Sequence, residues 1–203
     1  TISDGDGLGG FIYQWFANGE LIEGAIGGFL TLSQNEVGKS ISVQVSYVDE
    51  RGFQEVITSE ETVPIVNINS SPEGLVYIEG LAEEGQTLSG NLSYLSDKDG
   101  LGTLSYQWLA DGQTIDGAKN QSFTLTQNEV GKVITLHISY LDAYGEVETI
   151  TSHSTSLVQN VNDAPTGAVI IDGLAQEDQT LFVNTNSLED DDGMGDLSYQ
   201  WMA

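Results

Sequence analysis

Apolar and polar residues alternate with a period of two wherever this chain is strongly patterned. Ile134, Leu136, Ile138 and Tyr140 face one way, with Thr135, His137 and Ser139 between them, and Ile41, Val43, Val45 and Tyr47 repeat the arrangement. Such alternation puts one side of an extended strand on a core and the other side in water. Leu104, Tyr106 and Trp108 do the same around Ser105 and Gln107, and Phe123 with Leu125 form a shorter version before the turn at 127–132. Asp111-Gly112 and Tyr144-Gly145 are turn signals, and no 3.6-residue period competes. The pattern predicts strands near 75–79, 86–92, 103–109, 113–115, 122–126, 133–141 and 146–157.

Seven short strands in about 93 residues predict an all-β, immunoglobulin-like sandwich. The same text recurs at that interval. Asp4-Gly5-Asp6-Gly7-Leu8-Gly9 returns 93 residues later as Asp97-Lys98-Asp99-Gly100-Leu101-Gly102, and 93 later again as Asp190-Asp191-Asp192-Gly193-Met194-Gly195. Tyr-Gln-Trp stands at 13–15, 106–108 and 199–201, and the six residues 34–39 reappear letter for letter at 127–132. A period that long is a small domain rather than one turn of a solenoid. The expected organisation is therefore a tandem array: residues 1–70 a repeat lacking its first strands, 73–165 a complete repeat, and 166–203 the N-terminal part of a third. The lack of an initiating Met fits an internal stretch of a longer array, in which the next residues complete the last repeat. Alternatively, the final segment of one copy completes the first segment of another by strand donation.

Composition narrows the class. With 31 acidic residues against 5 Lys plus Arg, the formal charge is −26, which argues against nucleic acid or an anionic membrane as partner and favours cations. No apolar run reaches bilayer length, and there is no signal-peptide pattern. Cys is absent, so a secreted domain of this size must use its core to stay folded, with metal as an optional further staple. An apolar fraction of 39% with 24 Gly suits a folded β protein. Trp108 shares its strand face with Leu104 and Tyr106, which makes it a core residue rather than a sugar platform.

The candidate chemistry lies in the acidic loops. Asp97 and Asp99 fall between the second and third strands and Asp142 between the sixth and seventh, with Asp4, Asp6 and Asp49 at the matching positions of the first repeat. In an immunoglobulin topology these loops share the end where the first strand enters, together with the linker residues Asn67 and Asn69. The turn carrying Asn35 and Glu36 is expected at the same seam. The next seam offers Asn160, Asn162, Asp163, Asp190 and Asp192, plus Asn128 and Glu129. Hard oxygens gathered in this way suit structural Ca²⁺, which takes about 6–8 of them at roughly 2.3–2.6 Å. Asp-x-Asp-Gly is also an ordinary turn sequence, so its recurrence in register carries the signal.

Val161-Asn162-Asp163-Ala164-Pro165, the Gly-Leu-Ala-x-Glu-x-Gln-Thr-Leu segments at 80–88 and 173–181, and the Asp-Gly-Leu/Met-Gly-x-Leu-Ser-Tyr-Gln-Trp segments together resemble the tandem cadherin-like or immunoglobulin-like repeats of giant bacterial surface adhesins of the RTX type. The resemblance covers the whole chain. It implies secreted or cell-surface proteins of Gram-negative bacteria, whose repeats are Ca²⁺-stiffened extenders serving cell adhesion and biofilm formation. It also implies that Asn162-Asp163 belongs to an interdomain calcium motif. At the earlier seam Asn69-Ser70-Ser71-Pro72 replaces Asn-Asp-Ala-Pro, which removes a carboxylate there.

Catalysis is not expected. His137 and His153 align with Gln44 and Glu60, so neither belongs to the repeating design, and no thiol nucleophile exists. The recurring Lys39 and Lys132 are expected to pair with nearby acids. The expected partners are neighbouring repeats of the same chain or of other copies, with any surface glycan or protein ligand bound elsewhere in the parent protein. Two other readings are a calcium-dependent carbohydrate-binding module using Tyr94 or Tyr144, and a subunit of an extracellular filament. Against the first, Tyr94 aligns with Ser187 and Tyr144 with Arg51, so neither is a repeated platform.

Overall fold

The computed structural model describes residues 2–202, which are all-β apart from two short 3₁₀ turns. The chain divides into two compact units. The first comprises the residues up to Ser71 together with Asp97–Leu101 and Asp142–Glu146, and the second Pro72–Ser96, Gly102–Leu141 and the residues from Val147 on. Among the described residues, no helix is long and apolar enough to cross a membrane.

In the first unit β1 (Ile12–Ala17), β2 (Glu20–Leu21), β3 (Ile41–Val48) and β4 (Gln54–Thr58) form one antiparallel sheet in the order β2-β1-β3-β4. The register sets Trp15 opposite Val43 and Tyr13 opposite Val45, so the apolar members of both alternating runs share one face. Asn18 and Gly19 join β1 to β2 with φ of 48° and 77°. A two-residue hairpin loop of this hand needs positive φ at both positions, which favours Asn-Gly here and Asp111-Gly112 in the next repeat.

The second unit holds β5 (Tyr77–Glu79), β6 (Thr87–Asn91), β7 (Ser105–Ala110), β8 (Gln113–Thr114), β9 (Ser122–Thr124), β10 (Ile134–Leu141) and β11 (Val147–Thr151). They form a three-stranded sheet, β5-β6-β9, and a four-stranded sheet, β11-β10-β7-β8, both antiparallel. Leu88 from the first sheet and Trp108, Leu136 and Ile138 from the second are all fully buried in one apolar cluster, consistent with a β-sandwich. Trp108 lies 6.1 Å from Phe123, ring centre to ring centre, and its indole N–H donates to the Asn120 carbonyl at 2.9 Å. That bond satisfies the one polar atom the buried ring carries. Gln107, between the two aromatics, donates to the carbonyls of Trp108 and Ile115 and so ties the strand to the segment after the hairpin; Gln14 does the same at Trp15 and Ile22.

The last predicted strand runs too far. β11 stops at Thr151 rather than continuing to 157. Beyond it the hydroxyls of Ser152 and Thr155 accept the N–H groups of Leu136 and Ile134 at 2.9 and 3.0 Å. Side chains thus take acceptor positions that a regular ladder would give to backbone carbonyls. Ser59 and Thr62 repeat this against Val43 and Ile41.

Among the described residues from 166 on, only β12 (Ile170–Asp172) and β13 (Phe182–Asn184) form strands, paired antiparallel. The third Tyr-Gln-Trp joins no strand, and Trp201 is 54% exposed where Trp108 is fully buried. Gly102 lies so close to Leu141 that a Cβ would stand 1.9 Å from its carbonyl oxygen, and at Gly9 a Cβ would stand 2.0 Å from that of Val48; at Gly195 none of the described residues comes within 4 Å.

Candidate functional site

The acidic loops begin with one local structure written three times. The carboxylate of the first Asp accepts the N–H of the second: Asp4 from Asp6 at 2.9 Å, Asp97 from Asp99 at 2.7 Å, Asp190 from Asp192 at 3.0 Å. A glycine N–H then closes the turn on the first carbonyl, as from Gly100 to Asp97. Asp followed by Gly suits this geometry because the short acid caps its own backbone. The first Asp of each pair is thereby a turn former, and the second is the one presented.

In the first unit, Asp99 is only 2% exposed and Asp142 only 6%. Asp99 accepts the Ser70 N–H on Oδ2 at 2.6 Å, and its carbonyl accepts the Ala143 N–H at 3.1 Å, so linker and both loops meet. Asp142 accepts the N–H groups of Tyr144 and Glu146 on Oδ1 at 2.8 and 2.9 Å. The other oxygen of each, Oδ1 of Asp99 and Oδ2 of Asp142, is buried with no hydrogen-bond partner. A buried carboxylate oxygen left bare is costly unless a cation or a proton meets it.

In the second unit the geometry recurs one repeat on. Asp192 Oδ2 accepts the Asp163 N–H at 2.7 Å, matching the bond from Ser70 to Asp99, and Asp192 Oδ1 is again buried and unpartnered. Glu84 joins the group: carboxylate oxygens of Glu84, Asp163 and Asp192 lie within 4.8 Å of one another. Oxygens on opposite sides of one Ca²⁺ would be separated by about twice its 2.3–2.6 Å bond length, so this donor set fits such an ion. The Gln159 carbonyl accepts the Glu84 N–H at 2.9 Å, which brings this acid beside the linker. Glu84, Gln127, Asn128, Val161, Asp163 and Asp191 line a cleft of about 630 Å³, and Gln127 Oε1 within it is also buried without a partner.

The remaining sequence-predicted residues are placed differently. Asp4 is fully committed, with Oδ2 accepting the Tyr47 hydroxyl at 2.7 Å; Asp6 pairs with Arg51 at 3.1 Å; Asp49 accepts the N–H groups of Arg51 and Phe53. The Asp6 N–H, followed by the Tyr47 hydroxyl, holds the Asp4 carboxyl below its ordinary value, while the bond to Asp4 pushes Tyr47 up to about 12. Asn67 accepts from Gln34 at 3.1 Å, and the Asn162 amide donates to the Asp163 carbonyl at 2.8 Å. Asn69 and Asn160 are exposed.

Glu36 and Glu129 do not present their carboxylates at the seams. Each folds back onto its own 3₁₀ turn, accepting the backbone N–H and hydroxyl of Ser33 and of Thr126 respectively in a capping box. The Ser33 hydroxyl keeps Glu36 below the usual carboxylate range. Glu84 was missed from sequence, although Glu177 repeats it 93 residues on and marked the position as part of the design. No protein-family model matches the chain, and no curated protein matches it in sequence.

Proposed function

We propose that the chain is a non-enzymatic, calcium-binding stretch of tandem immunoglobulin-like (cadherin-like) repeats, acting as a stiffened spacer in a secreted or cell-surface bacterial adhesin. The observation that carries this reading is the set of buried, unpartnered carboxylate oxygens on Asp99, Asp142 and Asp192, at loop positions that recur with the 93-residue period. Asp99 and Asp142 would hold one ion, and Glu84, Asp163 and Asp192 another. Bound Ca²⁺ supplies positive charge and a demand for several oxygens at once, cross-linking loop to linker. The protein residues prepare for it: Asx turns fix the second Asp, backbone N–H groups orient one oxygen of each carboxylate, and burial keeps water from the other.

The net charge of −26 supports the same reading. Like charges closer than the roughly 8 Å Debye length at physiological salt repel across a seam, and a divalent cation removes that repulsion. Ligand linkage gives about 2.7 kcal/mol of stabilisation at a hundredfold excess over Kd, so even a weak site contributes at millimolar calcium. Isothermal titration with Ca²⁺ alongside small-angle scattering in calcium and in chelator tests the reading. Saturable binding with a larger maximum dimension in calcium is expected; heat-silent titration and identical scattering would overturn it.

A further inference from the structure

We propose that Ser70 and Lys98 set the calcium demand of the Asp99 and Asp142 pair, weakening a site whose loop and linker carry more negative charge one repeat later. The inference rests on the calcium reading above and concerns how tightly this seam holds its ion.

The two seams share one frame. In each, the linker residue 29 positions before the second Asp of the loop gives that Asp its N–H: Ser70 to Asp99 at 2.6 Å and Asp163 to Asp192 at 2.7 Å. In each, the first Asp accepts the N–H of the second, so linker and loop follow the same course. What stands on that frame differs. Asp163 brings a carboxylate oxygen within 4.8 Å of those of Asp192 and Glu84, whereas Ser70 at the same register offers no charge. Between the paired acids, Asp191 lines the cleft of the later seam, and Lys98 takes its place in the earlier one. Together these two positions make the Asp99 loop and its linker three units of charge more positive than their counterparts.

Ligand charge count is one means by which protein sites tune calcium affinity, because each carboxylate both coordinates the ion and attracts it. Asp99 and Asp142 still leave a place for a cation. They are 2% and 6% exposed, and Oδ1 of the first and Oδ2 of the second are buried with no hydrogen-bond partner. Ser70 and Lys98 act on that place in two ways. Ser70 withholds a charged oxygen that the linker could supply at contact distance, an effect that salt screens little. Lys98 is exposed, so its repulsion of an arriving cation passes through solvent and fades once the Debye length falls to about 3 Å at 1 M salt.

Calcium titration calorimetry on the full chain tests this, in a background where Glu84→Gln and Asp192→Asn silence the later seam. Ser70→Asp should lower the Kd of the remaining site about tenfold, and Lys98→Gln should lower it by less. Ser70→Asn, which supplies an oxygen without a charge, should fall between Ser70→Asp and the background chain. Raising salt to 1 M should erase the Lys98→Gln gain and keep most of the Ser70→Asp gain. Thermal unfolding adds a readout independent of affinity. Ser70→Asp should melt below the background chain in chelator, where a third carboxylate meets two bare ones, and above it in millimolar calcium. Calcium heat from the background chain with the same Kd in all three variants would overturn this inference and leave the calcium reading standing. No heat from the background chain would remove the calcium reading at this seam, and this inference with it.

Discussion

The hydroxyl of Tyr47 donates a 2.7 Å hydrogen bond to Asp4, joining the end of a strand to an Asx turn 43 residues earlier in the chain. The pairing shifts both groups. Asp4 lies below its ordinary value of 3.8, so its contribution to stability is present above that pH and is lost as pH falls through the lowered value. Tyr47 lies near 12 rather than 10, so its contribution is present below 10 and is lost as pH rises through about 12. Tyr47→Phe should raise the pH at which acid unfolds the first unit and delete one late step from the phenolate absorbance titration. A titration curve unchanged except in amplitude would refute the assignment.

Three tryptophans occupy one register position with three degrees of burial, which separates the residue from its surroundings. Trp108 is fully buried, Trp15 is half-buried and Trp201 is 54% exposed. Trp108→Ala should cost about 3–5 kcal/mol, and Trp201→Ala within about 0.5 kcal/mol, with Trp15→Ala between them. Urea unfolding followed by circular dichroism, performed on each variant of the full chain, reads the order. Equal losses at all three positions would mean that the exposed ring is covered in solution.

The all-β architecture was legible because its signals are local. The alternation at 134–140 named the face of β10 that is buried, Asp111-Gly112 named a hairpin, and the strand face shared by Trp108 named it as core. Glu84 was opaque for the opposite reason. Its role depends on the Gln159 carbonyl and on an N–H of Val161, 77 residues away, and nothing in its neighbours announces that contact. Glu129 misleads differently: Thr126-Gln127-Asn128-Glu129 is a capping-box sequence, yet an acid on a turn expected to face the next linker reads as one more oxygen for the seam. The overlong last strand came from treating Ser152 and Thr155 as ladder residues, when their hydroxyls accept what carbonyls would have accepted.

The capping box makes its own prediction. Glu129 is 5% exposed and bonds both the N–H and the hydroxyl of Thr126. Removing either partner strands the other, so Thr126→Ala and Glu129→Ala should each cost about 0.5–2 kcal/mol, and the double variant less than their sum. Chemical denaturation of the four proteins in the cycle measures the coupling. If Glu129 were instead a metal ligand, its loss would be felt only in calcium.

The buried carboxylates allow the sharpest separation, because a bare charge and a liganded charge have opposite signs of effect. Without a cation, Oδ1 of Asp99 and Oδ2 of Asp142 are buried with nothing opposite them. Neutralising the pair as Asp99→Asn and Asp142→Asn keeps the oxygens that accept from Ser70, Tyr144 and Glu146 while removing two buried charges. In chelator the double variant should be as stable as the parent chain or more so, since an unpaired buried charge costs more than a neutral amide. In millimolar calcium the order should reverse. The parent chain gains the linkage term, about 2.7 kcal/mol at a hundredfold excess over Kd, and the variant does not. Thermal unfolding of both proteins in both buffers reads the crossing directly; parallel shifts would show that calcium acts elsewhere, and a variant less stable in chelator would show that the two carboxylates are already paired.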